Sequence, residues 1–104
     1  MDIQFIQTNT FTNGKSETEI QVDDKKVKVL YWSELYDQWG VDGLKSYIIA
    51  EALKQLNRLE EAHELLKLSA KGEIKRFDNG SFEDTRNWEQ NWIDSNPLPK
   101  QIQL

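Results

Sequence analysis

The spacing of hydrophobic residues changes once along the chain, from every second position to every third or fourth. In the first part, apolar side chains alternate with polar ones at Ile3 and Phe5, at Ile20 and Val22, and at alternate residues of Val27–Tyr31. A period of two is typical of strands that bury one face. The pattern therefore predicts three β-strands.

Turn residues separate these strands. Asn13-Gly14 lies between the first two strands, where we expect a tight type I′ turn because both residues tolerate positive φ angles. Asp23-Asp24 lies between the second and third strands. Short connections of this kind join neighbouring strands, so the three strands are predicted to form an antiparallel meander.

After Trp32 the pattern becomes helical. Ser33 is a candidate N-cap for a short helical segment that ends at Gly40, and Gly40–Gly43 is a predicted joint. A helix capped by Asp42 should then run to about Leu56. Its apolar face is formed by Leu44, Ile48, Ala52 and Leu56, widened by Ile49 and Leu53.

A second helix is predicted after the break at Asn57-Arg58, with Gly72 just past its end. The two helices should form a hairpin, Asp42–Lys71, that covers one face of the sheet.

Within this hairpin, the segment Ala50–Ala70 sets a small residue and large apolar residues around a short turn, at Leu53, Leu59, Ala62 and Leu66. In this spacing the segment resembles the turn and second helix of a tetratricopeptide repeat. It covers about a fifth of the chain and departs from the family at Asn57, where glycine is usual. An ordinary helical hairpin produces the same spacing, and a repeat array would need about three stacked units.

The C-terminal part contains a turn signal and a last helix. In residues 73–84, Asn79-Gly80 favours either a small hairpin or an ordered loop. Trp88 and Trp92 stand one turn apart on the predicted helix, which Pro97 terminates.

The predicted architecture is α+β. Residues 1–96 should form a single domain, since about 100 residues is an ordinary domain size. It consists of a three-stranded antiparallel meander, a helical hairpin and a C-terminal helix packed on one face of the sheet. Residues 97–104 are predicted to be an extended tail.

Composition narrows the chemistry. The net charge is −5 and no Lys/Arg cluster stands out, so nucleic acid is not an expected direct partner. Cysteine is absent, which excludes disulfides, a thiolate nucleophile and Cys-containing zinc sites. We expect neither metal nor cofactor. With neither an apolar run of about 20 residues nor an export signal, a soluble cytoplasmic protein without membrane contact is expected.

Catalytic candidates are few. His63 is the sole histidine, and its helical neighbours Glu60, Glu64 and Lys67 predict a surface position. The P-loop, the dinucleotide glycine motif, the nucleophile elbow and HExxH are all missing. A small enzyme that uses carboxylates and His63 is therefore a minor alternative.

The aromatic residues have two interpretations. Trp88 and Trp92 either pack in the core or, together with Trp39 and Tyr36, anchor another protein, because Trp and Tyr dominate interface hot spots. The second interpretation makes these four residues the predicted binding site.

The corresponding functional hypothesis is a non-enzymatic protein that binds another protein as a regulator, inhibitor or assembly subunit. An acidic chain associates quickly with a basic partner surface, as a phage or mobile-element inhibitor would. The alternative from another class is a homo-oligomeric or ligand-binding module, built on an unpaired sheet edge or on the tryptophan helix.

Overall fold

A computed structural model describes residues 1–71 and 88–98 of the chain. The strands are β1 (Ile3–Thr10), β2 (Lys15–Val22) and β3 (Lys25–Trp32); the helices are α1 (Leu35–Gln55), α2 (Leu59–Lys71) and α3 (Trp88–Ser95). The sheet order β1-β2-β3 is antiparallel throughout, which confirms the predicted α+β class and meander. The alternatives for residues 73–84 and the end of the tail, residues 99–104, lie outside the described residues.

The central strand β2 has a regular alternation of burial. Ser16, Thr18, Ile20 and Val22 are buried on one face, which α1 covers, while the residues between them are half-buried. Seven of the eight residues of β1 are exposed, and its pairing with β2 is irregular between Phe5 and Gln7. The helical layer therefore covers β2 and β3 more fully than β1.

The first turn differs from the prediction. β1 ends at Thr10 and β2 begins at Lys15, which leaves the loop Phe11–Gly14, closed by the hydrogen bond from Phe11 N–H to the Lys15 carbonyl (2.8 Å). Gly14 has a φ of 84°, but Asn13 does not have a positive φ. The predicted type I′ turn was therefore wrong, because that turn requires positive φ at both central residues.

The first helix is broken, as the sequence predicted, at Gly40. This residue has φ 73° and ψ −179°, a backbone region that is essentially restricted to glycine. The helix begins after Glu34 rather than after Ser33. The Ser33 hydroxyl instead lies 2.6 Å from the Ser16 hydroxyl, so it satisfies a polar group of the sheet.

The turn between α1 and α2 closes through backbone hydrogen bonds of a Schellman motif. Arg58 N–H donates to the Leu53 carbonyl at 2.8 Å, and Asn57 N–H donates to the Lys54 carbonyl at 3.1 Å. Asn57 has a φ of 61°. Asparagine thus serves where glycine is commonest, because its short polar side chain tolerates this conformation.

The hydrophobic core lies between the sheet and the helices. It is formed by Ile20, Val22, Val29, Tyr31, Leu44, Ile48, Ala50, Ala52, Leu53, Ala62, Leu66, Trp88 and Trp92. The short side chains of Ala52 and Ala62 leave room for close packing of α1 and α2, and α3 packs against α2. Among the described residues no helix is both long and apolar enough to cross a bilayer.

In the first half of β2 the buried residues are polar, and their hydroxyl groups are hydrogen-bonded. Thr18 Oγ1 lies 2.8 Å from the Tyr31 hydroxyl and 2.8 Å from Thr8 Oγ1. Because buried hydroxyls are costly unless they are hydrogen-bonded, this pairing allows the polar Thr18 to lie on the buried face of β2.

Arg58 connects the helical turn to the sheet. Its guanidinium donates to Asp23 in the β2–β3 turn at 2.8 Å and makes two hydrogen bonds of 2.7 Å to Glu61. The pKa of Asp23 is lowered, first by a hydrogen bond from the Asp2 backbone N–H and then by Arg58. Arg58 likewise lowers the pKa of Glu61.

Candidate functional site

Three of the four aromatic residues in the predicted binding site lie together. Trp88 and Trp92 of α3 are only 5% and 7% exposed and belong to the core, whereas Trp39 of α1 is half-buried beside them. Tyr36 is 54% exposed and does not line the groove that the other three share. The core and surface interpretations of the tryptophans therefore apply to different rings of one cluster.

The cluster is held by ring stacking. The rings of Trp39 and Trp88 are nearly parallel, with centroids 4.5 Å apart and an interplanar angle of 12°. Tyr47 of α1 completes the cluster. Its ring centroid lies 5.4 Å from that of Trp39 and 6.1 Å from that of Trp88. Such pairs contribute about 0.5–1.5 kcal/mol each beyond their buried area, so the rings fix the position of α3 against α1.

Trp92 is fixed by hydrogen bonds at both its ring and its backbone. Its indole Nε1–H donates to Glu51 Oε2 of α1 at 2.6 Å. Its carbonyl accepts a hydrogen bond of 2.9 Å from the Asn96 side chain. Trp92 thereby links α3 to the C-terminal half of α1.

His63 is buried, and the predicted surface position was wrong. It is 5% exposed, and its Nε2 donates to the Asn96 carbonyl at 2.6 Å. Its ring also meets the edge of Trp92 with centroids 6.1 Å apart. The charged neighbours of His63 on α2 suggested solvent, but the helix face that carries His63 is covered by α3.

The aromatic cluster opens to solvent as a groove, which we call the tryptophan groove. Its volume is about 480 Å³, within the range of about 300–1,000 Å³ that is usual for ligand pockets. The groove is lined by Gln38, Trp39, Tyr47, Glu51, Trp88, Asn91, Trp92, Ser95 and Asn96. Trp88 and Trp92 form its buried floor, and the half-buried Trp39 and Tyr47 are more accessible.

The electrostatics of the groove are acidic. Among the described residues that line it, Glu51 is the one carboxylate, and neither Lys nor Arg is present. Burial raises the pKa of the Tyr47 phenol, and the negative charge of Glu51 raises it further. The Trp92 indole is a neutral donor, so its hydrogen bond leaves the negative charge of Glu51 in place.

The groove does not place a histidine beside a carboxylate. His63 contacts Trp92 from the α2 side and is not one of the groove residues. Within residues 1–71 and 88–98, no three His, Asp or Glu side chains converge as metal ligands would. What the groove offers is therefore aromatic surface, amide groups and one carboxylate, which suit binding.

Tyr47 and Glu51 were not identified from the sequence. They lie one turn apart on α1, a spacing that places both side chains on the same face of a helix. The spacing alone does not show that this face of α1 lines a groove, because Trp88, which completes the groove, comes from α3. The sequence offered one indication, the polar Glu51 next to the apolar row of α1.

No protein-family model matches this chain, and no curated protein or solved structure is significantly similar to it. The resemblance of Ala50–Ala70 to a tetratricopeptide repeat thus has no family match behind it. In the described part of the chain, the α1–α2 hairpin packs against a sheet and against α3. Such a setting differs from the stacked helical hairpins of a repeat array.

Proposed function

We propose that this chain is a non-enzymatic protein that acts by binding another protein, and that the tryptophan groove is its contact surface. The observation that carries the proposal is the placement of Trp39 and Tyr47, two half-buried rings that line the groove and pack against the buried Trp88. Rigid aromatic side chains anchor protein interfaces because they supply contact area with little loss of conformational entropy.

The chemistry of the groove supports binding over catalysis. Its one carboxylate, Glu51, already accepts a hydrogen bond from Trp92, and no general base stands next to it among the described residues. Amide side chains at the rim, such as Asn91 and Gln38, supply hydrogen bonds that orient a partner. A concave apolar surface with a few polar groups is the usual form of a recognition site.

The variants that test this proposal must leave the hydrophobic core intact. Trp88→Ala or Trp92→Ala would remove a buried ring at a cost of about 3–5 kcal/mol, which confuses loss of binding with loss of folding. Asn91→Arg instead places a long charged side chain at the exposed rim of the groove. Gln90→Arg is the matched control, because Gln90 is exposed on the same helix but does not line the groove.

Affinity capture from a lysate of the source cells, followed by mass spectrometry, compares the wild type with both variants. We expect one stoichiometric partner to be captured by the wild type and by Gln90→Arg, and to be lost with Asn91→Arg. Circular dichroism checks that both variants are folded. Equal capture by the two variants, or no stoichiometric partner for any form, would count against the proposal.

A further inference from the structure

The charge of the tryptophan groove restricts what it can receive. Glu51, which accepts the hydrogen bond from Trp92, lines the groove together with the rings of Trp39 and Tyr47, and Trp88 stacks on one face of Trp39. The π-face of an aromatic ring carries negative potential and attracts cations. The whole chain is also acidic, with a net charge of −5. Local and global fields therefore have the same sign.

An apolar occupant would be a poor match. It would displace water from the Glu51 carboxylate without replacing the lost hydration, and burial of an uncompensated charge is expensive. A cation compensates the carboxylate instead. A planar guanidinium is the best match, because it stacks on aromatic rings and donates a fork of hydrogen bonds to a carboxylate.

Building on the proposed function, we propose that the groove receives an arginine side chain from a basic protein partner. The guanidinium lies against Trp39 and Tyr47, two groove-lining rings that are inclined at 55° to each other. Its N–H groups face Glu51. The amides of Gln38 and Asn91 at the rim are then placed to meet the partner's backbone.

The test uses N-acetyl-arginine amide as the probe and N-acetyl-citrulline amide as its neutral isostere. Two-dimensional NMR follows the indole N–H signals of the four tryptophans during titration with each probe. We expect the arginine probe to shift Trp39, Trp88 and Trp92, and to bind at least about fivefold more tightly than the citrulline probe. Trp32 is the comparison ring, because it lies on β3 and does not line the groove. It is 52% exposed and lines a shallow hollow with Glu34 and Asp37, so it reports attraction of the probe to any exposed ring near carboxylates.

Two variants isolate the charge. Glu51→Gln keeps an oxygen that accepts the Trp92 hydrogen bond but removes the negative charge, and it should weaken arginine binding about five- to tenfold. Glu60→Gln makes the same change in net charge at an exposed position of α2 outside the groove, and it should leave the affinity unchanged. Equal effects of the two variants would mean that only overall charge matters, which overturns the proposal.

The remaining outcomes separate the two proposals. Equal binding of both probes, shifts at Trp32 as large as those in the groove, or no binding of arginine would each overturn the inference of an arginine site. If a partner is nevertheless captured and then lost with Asn91→Arg, the proposed function holds and its contact is not cationic. If arginine binds the groove but no partner is captured, the arginine site stands and the proposed function fails.

Discussion

Replacing Gly40 with alanine tests whether the break in α1 is a feature of the folded chain. Gly40 has φ 73° and ψ −179°, where a residue with a Cβ is strained. Apart from Gly40 itself, its two chain neighbours and the adjacent helix backbone, no heavy atom lies within 4 Å of the position that this Cβ would occupy, so contact with other groups does not add to the cost. The loss of stability therefore comes from the backbone conformation alone.

The expected magnitude follows from that conformation. A non-glycine residue in this region costs about 1–3 kcal/mol, so Gly40→Ala should lower the free energy of unfolding by that amount. If Gly40 were part of a continuous helix, the same substitution would stabilise the protein by about 0.5–1 kcal/mol. A broken helix and a continuous helix thus predict changes of opposite sign in the free energy of unfolding.

Urea and thermal unfolding followed by circular dichroism measure the difference. A loss of 1 kcal/mol corresponds to a fall in Tm of about 4–8 °C for a domain of this size. The exposed neighbour provides a control, since Val41→Ala should change stability by less than about 0.5 kcal/mol. An increase in Tm for Gly40→Ala would refute the broken helix.

Three further substitutions test the packing of the fold. Leu53→Ala at a fully buried position of α1 should cost about 2–5 kcal/mol in urea unfolding, and the 68% exposed Leu68→Ala should be nearly neutral. Tyr31→Phe removes the hydroxyl bonded to Thr18 and should cost about 0.5–1.5 kcal/mol, and a neutral result in the same assay would count against that bond. Arg58→Gln should lower Tm more at pH 7 than at pH 2, since the carboxylates of Asp23 and Glu61, which accept hydrogen bonds from Arg58, have lowered pKa values. Their stabilisation is complete above the usual pKa of about 4 and disappears as the pH falls through the lowered values; an equal Tm difference at both pH values would contradict this.

Local features of the fold could be predicted from the sequence. The alternation along β2, the joint at Gly40 and the break at Asn57-Arg58 each depend on a few neighbouring residues, and the structure has all three. The prediction of a type I′ turn at Asn13 was wrong because the turn type depends on the register of the paired strands, in which Thr10 pairs with Ser16. Pairing across a loop is already a non-local property.

The groove and the burial of His63 could be predicted only in part. The tryptophans were recognised by residue type, but Tyr47 and Glu51 become site residues through the return of α3 to α1. His63 is buried because its partner, the Asn96 carbonyl, lies 33 residues further along the chain. Its polar neighbours on α2 do not show this. Side chains that meet across distant helices leave no periodic pattern in the sequence.

The break at Gly40 also matters for the groove, because Trp39 and Tyr47 belong to the same helix but are eight residues apart. The ring centroids are 5.4 Å apart, and the non-helical Gly40 lies between the two residues. Its backbone conformation therefore influences how the two rings are placed. We expect Gly40→Ala to weaken binding of N-acetyl-arginine amide at a temperature where the variant remains folded, and Val41→Ala to leave it unchanged. Unchanged affinity in Gly40→Ala would mean that stacking on Trp88 holds Trp39 in place regardless of the backbone.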